Sequence, residues 1–180
     1  MTVNVEVQTF PNFINGQWVP SSSNETFDVF NPATGELVAK VAKGTVEDVN
    51  TAVAAAREAF DQGDWKNMNP KDRAKVLNAI AYKIAEHGQE LAYLEAISSG
   101  GTVRRIGGSD VLQMVDLFQT MAKLLVDYNF SETLPVPPFP GPAQNFIWRE
   151  PIGVCAAITP WNYPMVIGRS SFSDGEHSRH

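Results

Sequence analysis

From Pro151 to Met165 the chain reads Pro-Ile-Gly-Val-Cys-Ala-Ala-Ile-Thr-Pro-Trp-Asn-Tyr-Pro-Met, and the first half of that run leaves few folds open. Ile152–Ile158 is almost continuously apolar, with no polar alternation. Such a pattern suits a strand buried on both faces, as in the parallel sheet of an α/β protein. Pro160 ends it, because proline has no N–H to give to a ladder. Ligands of open α/β sheets bind beyond the carboxyl ends of the strands, which makes Thr159, Pro160, Trp161 and Asn162 a candidate binding loop. Asn162 stands between two aromatic residues, Trp161 and Tyr163, and Pro164 stiffens the exit. A carboxamide held in this way can aim its NH2 at a developing oxyanion. For an asparagine after a strand taken alone, support of an ordinary turn is the plainer reading.

Charge and composition narrow the class. The 180 residues are 43% hydrophobic and 19% charged, ordinary values for a globular protein with enough chain to bury a core. A net charge of −6 argues against a nucleic-acid or membrane-surface partner. No apolar run is long enough to span a bilayer. Met1–Val7 has neither a basic nor an apolar leader segment. One cysteine excludes an internal disulfide and fits a reducing compartment, so a cytoplasmic location is expected.

Upstream, residues 1–9 read as a flexible arm. Phe13–Val19 and Phe27–Val41 are strand-like and are joined by the loop Pro20–Asn24. Asn31-Pro-Ala-Thr-Gly35 is a turn with a mechanism, since Pro32 presets φ and Gly35 relaxes it. Thr45-Val-Glu-Asp48 has the form of a capping box and starts a helix with Val49, Val53, Ala56 and Phe60 on one apolar face, ending near Gly63. Asn69-Pro70 opens a second helix with Leu77, Ile80, Ala81 and Ile84 inward, closed by Gly88. Leu91, Leu94 and Ile97 continue a third as far as Ser98–Gly101. Ser109 is the expected cap of a long fourth helix that turns Val111, Leu112, Val115, Phe118, Ala122 and Leu125 inward. Leu134–Pro142 is dense in proline and suggests an extended linker, less often a proline-rich ligand. Asn145–Arg149 alternates Phe146 and Trp148 as a strand would.

Other chemistry-bearing residues carry less. Cys155 lies inside the apolar run, where a thiol is usually an inert small hydrophobe. His87 falls at a helix end, where a cation suits the dipole. His177 and His180 have no convincing further metal ligands beside them. Gly100-Gly101 and Gly107-Gly108 follow no strand and make no phosphate fingerprint.

The run from Pro151 to Pro164 resembles the Pro-x-Gly-Val…Pro-Trp-Asn-[Phe/Tyr]-Pro signature of the NAD(P)-dependent aldehyde dehydrogenase superfamily. Phe13-Ile-Asn-Gly-Gln-Trp-Val19 looks like that family's opening strand, and Phe30-Asn-Pro-Ala-Thr-Gly-Glu36 like its Asn-Pro-Ala-Thr-Gly turn. The resemblance covers about Phe10 to Met165 in order and spacing. It implies an incomplete N-terminal part of an α/β aldehyde dehydrogenase fold: a strand hairpin, a helical cluster, a protruding strand pair and the first strand of the dinucleotide-binding sheet. It divides the chain into a helical part over 10–132, a proline-rich segment and oligomerisation strand over 133–150, and the first cofactor-domain strand with the Trp-Asn loop over 151–165.

The same resemblance implies oxidation of a small aldehyde to an acid through a cysteine thiohemiacetal, with hydride passing to NAD or NADP. Asn162 would be the oxyanion donor, and Ile158, Thr159, Pro160 and Trp161 would contact the dinucleotide. The family's nucleophilic Cys, catalytic Glu and ribose-holding segment have no counterpart in these 180 residues. After Met165 the pattern is expected to break into a divergent, disordered tail over 166–180, as from an appended or out-of-frame segment. Three readings follow: an aldehyde dehydrogenase by ancestry; a truncated, inactive fragment that forms a homo-oligomer or associates with full-length subunits; and a non-enzymatic binding module.

Overall fold

The computed structural model describes residues 7–136, 141 and 143–167. It holds three small sheets around a helical cluster. Strands β1 (Gln8–Phe10), β2 (Asn12–Ile14), β3 (Gln17–Val19), β4 (Thr26–Phe30) and β5 (Leu37–Ala42) come first. Helices α1 (Val46–Gln62), α2 (Pro70–Glu86), α3 (Gly88–Ser99), α4 (Val103–Arg105) and α5 (Val111–Asp127) follow, and β6 (Ser131–Thr133) pairs antiparallel with β7 (Phe146–Trp148).

The expected hairpin around Asn31–Gly35 forms, with β4 antiparallel to β5. The Asn31 carbonyl accepts from Gly35 N–H at 2.8 Å, its side chain accepts from Ala33 N–H at 2.9 Å, and Gly35 takes φ +72°. Phe13–Val19 is two strands instead of one. Asn15 and Gly16 both have positive φ, the geometry of a tight two-residue hairpin turn, and so β2 folds back on β3. Gln8 and Thr9 of the expected 1–9 arm belong to β1, which adds in parallel to β5, and residues 1–6 lie outside the described residues.

Local signals place the helix starts. The Thr45 hydroxyl accepts from Asp48 N–H, and the Asp48 carboxylate accepts from Thr45 N–H at 2.8 Å. The same carboxylate accepts from Ser22 N–H at 3.0 Å and so ties the Pro20–Asn24 loop to α1. Those bonds, the Thr45 amide foremost, hold the Asp48 carboxyl below its ordinary value. Asn69 caps α2 with Pro70 in its first turn. Gly88 opens α3 instead of closing α2, which ends at His87.

The fourth helix differs from expectation. Thr102 caps it, accepting from Arg105 N–H at 3.3 Å. The backbone then stays helical through a π turn over Ile106–Asp110 into α5, which leaves Ser109 inside the helix.

The core gathers Ala81, Ile84, Ala92, Ile106, Val111 and Phe118, with Leu77, Leu91, Met114 and Met165 packed against it. Ala122 and Leu125 are buried as expected, whereas Leu112 is exposed. The expected apolar face of α1 is uncovered: no α1 residue is buried, and Val49 and Val53 lie open.

The run Ile152–Ile158 forms no strand, a correction to the first reading. Among the described residues no strand runs alongside it, and a ladder needs a partner to satisfy its backbone groups. Phe146 and Trp148 do sit on a strand, and both are exposed. Part of the proline-rich segment, residues 137–140 and 142, lies outside the described residues, as does the tail from 168 to 180.

Gly100 ends α3 in the left-handed region, at φ +80°. A Cβ there would stand 2.8 Å from Pro32 Cγ, so the β4–β5 turn is seated on the end of α3. Gly100→Ala is expected to cost more than about 1 kcal/mol, read as a lower urea midpoint at unchanged m-value. An unchanged midpoint would mean that the turn and helix end do not bear on each other in solution.

Candidate functional site

The loop after Ile158 is open to solvent. Ile158 is 94% exposed and Trp161 86%, and Thr159, Pro160 and Asn162 are exposed as well. The Asn162 carboxamide makes no hydrogen bond among the described residues, so its NH2 is free to donate. Ile158–Trp161 form an exposed stretch open to solvent and not a closed cradle.

What holds this loop lies directly behind it. Pro164–Ile167 makes one helical turn, with Ile167 N–H donating to the Tyr163 carbonyl at 3.0 Å. Val166 and Ile167 therefore belong to an ordered turn and not to the expected tail; Pro164 suits a first helical turn, where its missing N–H has no intrahelical partner to lose. Met165 packs into the core. Tyr163 has φ +55°, and the Arg105 guanidinium carbon lies 4.6 Å from its ring centroid.

Arg105 Nη1 also stands 3.2 Å from Asp110 Oδ2. Asp110 is completely buried and Glu95 is 5% exposed; neither carboxylate has a well-formed hydrogen bond among the described residues, the Met165 backbone amide approaching Glu95 without full bonding geometry. The Arg105–Asp110 contact is thus ionic without hydrogen-bonding geometry. Burial pushes the Glu95 carboxyl up from its ordinary value, and the charge of Asp110 adds to this. The Met165 backbone amide and the Arg105 charge pull it the other way.

Sequence reasoning singled out Asn162, which the structure places on an exposed loop, and missed this ionic cluster. One signal was present: Ala92, Glu95 and Ala96 share a face at helical spacing, which puts an acid on an apolar stripe. Arg105 and Asp110 gave none, because residues five apart do not meet on a regular α-helix; the π turn brings them together.

The remaining candidates stay peripheral. Cys155 is exposed, not buried in a strand, and its Sγ approaches only the Gly153 carbonyl at 3.8 Å, with no base to activate it. His87 Nδ1 stands 3.2 Å from Glu90 Oε2 on the surface. His177 and His180 lie outside the described residues. Among the described residues no group of three or more His, Cys, Asp or Glu could hold a metal, and no helix is long and apolar enough to cross a membrane.

A model described as the aldehyde dehydrogenase family matches residues 18–172. The match continues past Met165, where the sequence reading expected the pattern to break. The cytosolic 10-formyltetrahydrofolate dehydrogenase of Xenopus tropicalis is 38% identical over 168 residues, covering 93% of this chain and 18% of that protein. The mitochondrial benzaldehyde dehydrogenase of Antirrhinum majus is 39% identical over 163 residues, covering 91% and 30%. The crystal structure of betaine aldehyde dehydrogenase from Staphylococcus aureus in complex with NAD+ superposes with a TM-score of 0.84 at 35% identity, over 92% of this chain and 32% of that one. An NAD-dependent aldehyde dehydrogenase from Sinorhizobium meliloti gives 0.86 at 28% identity, over 96% and 34%. The chain thus has a partial aldehyde dehydrogenase fold and spans about a third or less of the length of the relatives it matches.

Glu95 makes the cluster sensitive to pH. Its folded pKa is raised above the ordinary 4.5, so the folded chain holds this proton more tightly than the unfolded one. That stabilisation is complete below the unfolded pKa and is lost as pH rises through the folded value. Urea midpoints followed upward from pH 4 should decline for the parent, and the decline should be smaller in Glu95→Gln. Parallel profiles for the two proteins would refute the assignment.

Proposed function

Because the chain belongs to the aldehyde dehydrogenase family, we propose that it carries the oxyanion-side portion of an enzyme oxidising a small aldehyde to a carboxylic acid with NAD or NADP. The observation that supports this most is the unpartnered, exposed Asn162 carboxamide on the Trp161–Tyr163 loop. When a nucleophile adds to an aldehyde, the carbonyl oxygen gains negative charge. An NH2 donor already placed for that oxygen lowers the barrier without reorganising at the moment of reaction. The dinucleotide, when bound, accepts the hydride, and Ile158, Thr159, Pro160 and Trp161 would form one wall against it.

No covalent step is assigned to these residues. A nucleophile needs an activating base or a lowered pKa, and Cys155 has no base beside it. The chain alone is therefore expected to be inactive. A second reading, association with other aldehyde dehydrogenase subunits or with its own copies, is supported by the exposed Phe146 and Trp148 on β7. The lone free thiol suits a reducing compartment such as the cytoplasm.

The oxyanion role is tested in a chimera in which residues 18–165 replace the matching segment of the Staphylococcus aureus betaine aldehyde dehydrogenase. NADH formation is expected, and Asn162→Ala should lower kcat about 100- to 1,000-fold. An Asn162→Ala chimera as fast as its parent would remove the assignment. Aldehyde-dependent NAD(P)H formation by the chain alone would overturn its inactivity.

A further inference from the structure

We propose that Arg105 is a positioning residue for Asn162, clamping the Trp161–Tyr163 loop onto the helical core through the Tyr163 ring. The inference rests on the reading of Asn162 as oxyanion donor and names what would hold it in place.

Four observations converge. Tyr163, next to Asn162 in the chain, has φ +55°, a region that bulky side chains seldom occupy. Its ring lies under the Arg105 guanidinium, 4.6 Å from centroid to carbon. The same guanidinium stands 3.2 Å from Asp110 through Nη1, and Asp110 has no freedom to follow the loop because it is fully buried. Room for the arginine is made by Gly101, where a Cβ would stand 2.6 Å from Arg105 Nη2 and 2.9 Å from Ile106 Cδ1.

The chemistry asks for arginine in particular. A planar guanidinium can stack on a ring and present an edge to a carboxylate at once, whereas a lysine ammonium is a point charge that stacks poorly. Asn162 itself touches none of these groups, so Arg105 acts on it only through Tyr163. This makes it a positioning and not a catalytic residue.

The test uses the full 180-residue chain and NMR. In the parent, the Arg105 side-chain protons should be shifted upfield by the Tyr163 ring, and the Asn162 NH2 should give one resolved pair. Tyr163→Phe keeps the ring and should preserve both signatures. Tyr163→Leu and Gly101→Ala should abolish the upfield shift, and these two and Arg105→Lys should each collapse the Asn162 pair toward its random-coil position. Amide exchange at Ile167 should accelerate about fivefold or more in the same three variants, as expected for loss of one cation–π contact.

An Asn162 pair unchanged in Arg105→Lys and Tyr163→Leu would overturn the proposal. If one variant fails to fold, the other two still decide, since they alter different sides of the clamp. The failure modes separate cleanly. A slow Asn162→Ala chimera with an unchanged NMR pair in the clamp variants sinks Arg105 alone. Intact clamp signatures with an Asn162→Ala chimera as fast as its parent sink the oxyanion reading alone.

Discussion

One turn of helix joins the apolar core to the ionic cluster. Ile106 and Asp110 stand at the two ends of the π turn, and both are fully buried. Ile106 faces Ala81, Ala92 and Phe118 in the core between α2, α3 and α5. Asp110 holds Arg105 from the other end of the same turn. A π turn inserts an extra residue into helical register and is frequent at functional sites. Here it brings together residues five apart and lets one short segment serve packing and electrostatics together. The loop bearing Asn162 takes its position from that segment, through Tyr163 and Met165.

The rest of the molecule is lightly buried by comparison. Alanine makes up much of the core, which brings helices close but removes little apolar area per residue from water. At about 25 cal/mol per Å², surface left exposed on α1, β3 and β7 contributes nothing to folding. Val49, Val53, Trp18, Phe146 and Trp148 all lie in that class. The same faces belong to a chain that spans about a third or less of its relatives. Burial in this fold is therefore concentrated where α2 runs along α5 and is sparse at the strand pairs.

Local chemistry was the legible part of the sequence. The cap at Thr45, the cap and proline at Asn69-Pro70, and the Asn31–Gly35 turn act through neighbours in the chain, and each forms as read. Asn15-Gly16 was equally legible, being a strong short-range hairpin signal, and reading Phe13–Val19 as one strand overlooked it. The misreadings are of another kind. Strand formation at Ile152–Ile158 and burial of the α1 stripe both depend on a partner element, and periodicity describes only one side of a contact. Ser109 looked like a cap because it is a good one in isolation; Thr102, with Gly107-Gly108 accommodated inside the helix, prevailed. Of the candidate site, the exposed loop carrying Asn162 was marked out by the motif, while Glu95, Asp110 and Arg105 become a group only through helix packing.

Charge balance explains why this cluster can be both buried and tense. Asp110 meets the Arg105 guanidinium, Glu95 lies near enough to feel both charges, and the guanidinium is partly exposed and turned toward a ring. With both acids ionised, the pocket keeps a net negative charge out of water, which is costly when no hydrogen bonds compensate it. A proton on Glu95 reduces the pocket to one ion pair, and the upward push on its pKa follows from that arithmetic. The strained tyrosine and the neighbouring carboxamide thus lie against a cluster whose net charge depends on an acid carried by α3.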